Sequence, residues 1–185
     1  MPTGVHQANA SIGLISNMAM ERLVLRQPNP EDLDAMWSIF ADPRTSRFNS
    51  SGPMVARSVA KDRLDAWILH WHERGFGYWA ISEREAAKEV IGFGGLLWRS
   101  LPGYPEGLHL GYRLAYSTWG KGLATELGLA ALGVAQELGF TSVLAVIAPD
   151  NAASIRVIEK LGLRQVGDVD DIPDHPPSLV FKAEF

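Results

Sequence analysis

The segment Trp119-Gly120-Lys121-Gly122-Leu123-Ala124-Thr125-Glu126 places two glycines and a lysine where a helix begins. An apolar, strand-like run from Leu108 to Leu114 precedes it. Apolar residues then recur at Leu123, Leu127, Ala130, Ala131, Val134 and Leu138, one face of a 3.6-residue period. The first turn of a helix exposes unpartnered N–H groups and carries partial positive charge. Most helices answer with an early acid. Here the first acid is Glu126, and Lys121 adds charge of the same sign as the helix end. Glycine lets a ligand approach the backbone. The pattern reads as an anion site, a phosphate above all, or else as a Gly-rich turn with a weak cap. A P-loop is excluded, because Ala115 stands at its first Gly position and Gly122 at its hydroxyl position. A dinucleotide fingerprint is only partial. Thr125 replaces the third Gly, and Asp150 lies well beyond the usual offset of ~20 residues.

The rest of the chain narrows the chemistry. It has no cysteine, which removes disulfides, thiolate metal sites and a cysteine acyl-enzyme. His70 and His72 are two apart and cannot share a helix face, no H-E-x-x-H occurs, and no metal is expected. A net charge of −4 without a Lys/Arg cluster argues against nucleic acid. The longest apolar stretch, Leu123 to Phe140, is broken by Glu126 and Glu137, so no membrane span is expected. The first 20 residues lack the layout of a signal peptide, and cytoplasmic residence is the default expectation.

A length of 185 residues fits one domain. Residues 1–20 read as a flexible extension, although Ile12 to Ile15 could dock, and residues 21–185 as a single unit. A strand is expected over Arg22 to Arg26. Asn29-Pro30-Glu31-Asp32 is a capped helix start, and Asp42-Pro43 ends that helix. A second helix runs from about Val55 to Arg74, stopped by Gly75-Phe76-Gly77. Strands follow at Tyr78 to Ser82, Val90 to Trp98 and Leu108 to Leu114, in a meander pattern. After the helix at Gly122 come a strand from Ser142 to Ile147, a short helix from Asn151 to Leu161, and strands near Leu163 to Gly167 and Leu179 to Glu184. The class is α+β with a mixed sheet.

Two separated motifs resemble the GNAT N-acetyltransferase superfamily. Trp119-Gly120-Lys121-Gly122-Leu123-Ala124 resembles its pyrophosphate loop, Q/R-x-x-G-x-G/A, with Trp119 for the leading Gln or Arg. Asn151-Ala152-Ala153-Ser154-Ile155-Arg156-Val157-Ile158-Glu159-Lys160-Leu161-Gly162-Leu163 is similar to N-x-x-S-x-x-x-x-E-K-x-G-F. Glu21 to Arg26 and Leu110 to Leu114 resemble the opening and central strands of the branch that acetylates ribosomal-protein N termini at alanine or serine. The resemblance implies a three-layer α/β/α fold around a mixed, mostly antiparallel sheet of six to seven strands. It implies acetyl transfer from acetyl-CoA to a primary amine in a ternary complex, with a homodimer as the common oligomer. Trp119, Gly120, Lys121, Gly122, Leu123, Ala124 and Thr125 would hold pyrophosphate. The backbone of Tyr112, Arg113 and Leu114 would pair with the pantetheine arm, and Asn151 would hydrogen-bond it.

The resemblance leaves the proton chemistry open. His109 stands where many relatives carry a Glu and is the candidate base, with Glu106 in reserve. A Tyr is common seven residues after the Asn, but Ile158 stands there, so Ser154 is the candidate acid. Deprotonating a lysine amine at pH 7 costs about 4.6 kcal/mol, against about 1.1 for an α-amine. A weakly equipped site therefore suits the α-amine of a peptide or protein N terminus. The alternatives are acetylation of an aminoglycoside or polyamine, and a non-catalytic acyl-CoA-binding regulatory module. Trp67, Trp71, Phe76, Trp79 and Trp98 are candidate pocket aromatics. Asp168, Asp170, Asp171 and Asp174 could attract a cationic amine.

Overall fold

The computed structural model describes residues 15–49, 51–171 and 175–185. Eight strands form one sheet: β1 (Asn17–Ala19), β2 (Leu23–Arg26), β3 (Tyr78–Glu83), β4 (Val90–Leu101), β5 (Tyr104–Leu114), β6 (Ser142–Ile147), β7 (Arg164–Val169) and β8 (Ser178–Glu184), in the order β1-β2-β3-β4-β5-β6-β8-β7. The helices are α1 (Leu33–Phe40), α2 (Arg57–Arg74), α3 (Leu123–Glu137) and α4 (Ala152–Lys160). Every pairing is antiparallel except β5 with β6. No helix among the described residues is long and apolar enough to cross a membrane.

Local chemistry sets the helix ends. Asn29 and Asp32 form a capping box around a short 3-10 turn that leads into α1. Gly75, with φ 74°, closes α2 in the left-handed conformation. Asn151 Oδ1 accepts the Ser154 N–H and caps α4. Strand alternation then divides the sheet into two faces. Leu108, Leu110 and Leu114 of β5 join Leu123, Leu127 and Ala131 of α3 in one core. Met36, Phe40, Leu64, Trp67 and Phe93 make the core beneath α1 and α2.

One element departs from expectation. Part of the segment read as an extension belongs to the sheet, raising the strand count to eight. β1 pairs with β2, Ile15 is buried in the core, and its carbonyl accepts the Trp79 indole N–H at 2.8 Å. Residues 1–14, including Ile12, lie outside the described residues, as does Asp174.

Candidate active site

The turn before α3 is shaped by two glycines at positive φ, Gly120 at 77° and Gly122 at 79°. A Cβ at Gly120 would meet nothing within 4 Å, so glycine is needed there for its dihedral, and the space beside it is open. Among the described residues, the N–H groups of Gly120 to Ala124 have no hydrogen-bond partner. Five unpartnered donors at a helix N-terminus form an anion cradle. Thr125 differs from expectation. Its N–H is already bonded to the Gly122 carbonyl at 3.1 Å, although the residue lines the adjoining cavity.

Lys121 also differs. Its ammonium meets Glu83 at 3.1 Å and does not line the cavity, because the exposed turn points it outward. The cation nearest the cradle is Arg22, which sequence spacing did not reveal. Its Nη1 donates to the Lys121 carbonyl at 2.7 Å, and its guanidinium lies beside Gly122. Glu126 fixes that arrangement, accepting from the Arg22 N–H, Arg22 Nε and the Leu23 N–H at 2.7–3.1 Å. Burial opposes its charge, but these donors outweigh burial and hold the carboxyl below its ordinary range. Trp119, in place of the loop's usual Gln or Arg, donates its indole N–H to the Leu114 carbonyl at 3.0 Å and packs at a tilt against the Tyr116 ring.

The cradle opens into a cavity of about 860 Å³ between β5 and β6. These parallel strands pair at His109 and Leu144 and diverge beyond them, so Leu110 to Leu114 gain no partner from β6. Gly111, Tyr112, Arg113 and Leu114 line one side, and Ala145 to Ala148 with Asn151 and Ser154 the other. A slot with an unpaired strand edge and a phosphate cradle at one end fits a long pantetheine arm ending in a pyrophosphate.

His109 sits at the vertex of the slot. It is 3% exposed, and both ring nitrogens are buried without a hydrogen-bond partner among the described residues. Burial, assisted by the Arg99 charge, lowers its pKa to about 4. The ring is therefore neutral at pH 7, and the titration near 6.5 expected of an ordinary histidine does not apply. Glu106, the reserve base, lies on the exposed end of the β4–β5 hairpin, bonds to Ser100, and is absent from the cavity wall.

The cavity also contains a phenol that motif reading passed over. The Tyr112 Oη hydrogen-bonds to Ser154 Oγ at 3.2 Å, joining β5 to α4. Burial pushes this phenol up, and the Ser154 contact partly offsets it. The family resemblance gives Tyr112 a backbone role only, and Ile158 leaves α4 itself without a phenol. Ile158 is in the core, and a phenol reaches the same helix from the opposite wall. Strand alternation was the available signal, since Tyr112 shares its face with Leu110 and Leu114.

Of the candidate aromatics, only Trp67 lines the cavity. Trp71, Phe76 and Trp79 are buried in the core, and Trp98 packs against Phe140 under Arg74. Asp171 lines a smaller neighbouring depression with Arg99. Asp168 and Asp170 are exposed and line neither space.

Residues 22–164 match the model of the acetyltransferase (GNAT) domain family. The chain belongs to this family. It is an acetyltransferase, with the three-layer GNAT architecture. An uncharacterized N-acetyltransferase of Bacillus subtilis, YoaA, is 27% identical over 148 residues, covering 80% of this chain and 82% of that protein. The acetyltransferase of Agrobacterium tumefaciens is 27% identical with a TM-score of 0.77, covering 93% of this chain and 96% of its own. RimL, a ribosomal L7/L12 α-N-protein acetyltransferase solved in complex with coenzyme A, shares the fold at TM-score 0.72 and 16% identity, over 91% of this chain and 97% of its own.

Proposed function

We propose that this GNAT enzyme acetylates an α-amine, most readily that of a peptide or protein N terminus, by direct transfer with both substrates bound. The observation that carries this reading is the poverty of base strength in the cavity. No carboxylate lines it among the described residues, and its one imidazole is held neutral with a pKa of about 4. Such a site cannot readily strip a lysine-type ammonium, whose neutral form costs about 4.6 kcal/mol at pH 7. It can use an amine that costs about 1.1.

The residues divide the work as follows. The N–H groups of Gly120 to Ala124 would hold the pyrophosphate of acetyl-CoA, and the free edge of Leu110 to Leu114 its arm. Asn151 caps α4 through Oδ1 alone, which leaves its amide N–H₂ to donate. Acetyl-CoA supplies an activated acyl thioester. With no cysteine in the chain, the amine attacks it without an acyl-enzyme. The attacking nitrogen gives its proton to solvent as its lone pair becomes committed to the new bond, and the buried His109 ring stays neutral at the vertex of the slot. Ser154, backed by Tyr112, donates a proton to the departing sulfur.

The test is CoA-thiol release with matched peptides, one with a free α-amine and no lysine, the other N-terminally blocked with one lysine. Release confined to the first, with acetyl found on its α-nitrogen by mass spectrometry, supports the reading. Equal or faster release with the second rejects it. Accumulation of an acetylated enzyme rejects direct transfer.

A further inference from the structure

The wall of the cavity beneath α1 and α2 carries three arginines from three elements: Arg63 of α2, Arg99 of β4 and Arg113 of β5. Among the described residues, none of the three guanidiniums lies within ion-pair distance of a carboxylate. Arg113 Nη1 donates to Ser46 Oγ at 3.2 Å, and its guanidinium lies 4.4 Å from the centre of the Phe40 ring. Arg63 lies over the same ring at 5.9 Å. Two like charges thus share one aromatic surface. Burial first, and then Arg63, lower the Arg113 pKa to about 10. The Tyr78 phenol packs against Gly111, between His109 and Arg113 along β5, and lies within the field of all three arginines. Asp171 borders the neighbouring depression beside Arg99 without pairing with it.

Arg63 and Arg113 repel one another across the Phe40 ring, Arg113 is half-buried with Ser46 Oγ as the acceptor for one of its five N–H donors, and Arg99 adds a third positive charge at the exposed rim. A carboxylate held by an arginine fork would offset both costs. The wall is separate from the phosphate cradle, since β5 alternation places Arg113 and His109 on the face opposite Tyr112 and Leu114. We infer that this wall binds an anionic group of the acceptor: the amine substrate carries a carboxylate close to its α-amine, as an N-terminal peptide with an early acidic residue or a free amino acid does. The inference rests on the proposed function for the place of the amine. It also counts against polyamines and aminoglycosides, whose several cations would face three arginines.

Calorimetry on the full chain saturated with coenzyme A tests this without turnover. Two matched pairs are titrated: a Ser-Asp peptide amide against its Ser-Asn counterpart, and serine against serinamide. In at least one pair the carboxylate member binds about tenfold or more tighter, the scale of a charge-assisted hydrogen bond, and that pair identifies the source of the carboxylate. Arg63→Met, which leaves the β5 edge untouched, weakens the preference while coenzyme A affinity is unchanged, and Arg113→Met erases the preference where Arg113→Lys keeps part of it. Equal affinities within both pairs overturn the inference, as does a preference that survives in both Arg113→Met and Arg63→Met. Thiol release separates the two readings. Discriminating binding without release from any α-amine leaves the anion site standing and removes the α-amine reading. Equal release from acidic and neutral amines with equal binding does the reverse.

Discussion

On the α3 side of the cavity, the polar groups beside it are backbone N–H groups from Gly120 to Ala124. On the α1/α2 side they are side chains of residues 63, 99, 109 and 113, drawn from three elements. The first wall is written in one stretch of sequence, because glycines at positive φ and a missing early acid are local signals. The second has no local spelling, because its charges meet only after β4, β5 and α2 have packed. A backbone-built site tolerates change in side chains and fails when its dihedrals or space are lost. A side-chain-built site fails residue by residue and can be retuned the same way.

The strongest way to break this contrast is Gly122→Glu. It puts a carboxylate beside Arg22, fills the open space next to the unpartnered N–H groups and forces a side chain into a left-handed conformation. Coenzyme A binding should fall below detection by calorimetry while circular dichroism shows a folded chain. Lys121→Ala in the same turn should change affinity less than about twofold, the scale of an exposed charge, because its ammonium already faces Glu83. If the lysine variant loses as much as the glycine variant, the cradle is not built from backbone.

Tyr112→Phe sharpens the comparison at the seam between the walls. If Ser154 and Tyr112 act as one donor, each single variant should lower kcat about tenfold or more. The double variant should be little worse than either, with coenzyme A affinity nearly unchanged. Additive losses would show separate roles.

A smaller, structural effect concerns Glu126. Glu126→Ala removes the acceptor of three N–H donors and should cost about 1–3 kcal/mol of stability. Because its folded pKa is depressed, wild-type stability from this group is present above its unfolded value near ~4.3. It is lost as pH falls through the lower folded value. The variant should show a shallower acid limb in urea titrations below pH 5. An unchanged limb would remove Glu126 as the tether between the cradle and β2.

What sequence revealed follows the same division. The capped helix start at Asn29, the Gly75 stop and the β6 run depend on neighbours within a few residues, and each appears where the pattern put it. β1 was missed because three residues on a sheet edge, mostly exposed, carry no periodicity, and their order comes from β2 and Trp79. The Arg22–Glu126 tether spans 104 positions, so no window of sequence contains it. The arginine wall escaped for the same reason. Lys121 misled because charge near a glycine turn says nothing about which way the side chain leaves the backbone.

The most direct test of the account is the pH dependence of kcat/KM for two peptides whose α-amines differ in pKa by one unit or more. With a neutral His109 and an amine that must arrive uncharged, the rate between pH 5.5 and 9 should rise through a single inflection. That inflection should move with the peptide's own amine, because a group with a pKa of about 4 is already deprotonated throughout this range. An inflection near ~6.5, the ordinary histidine value, that stays fixed when the peptide is changed and vanishes in His109→Gln would contradict it.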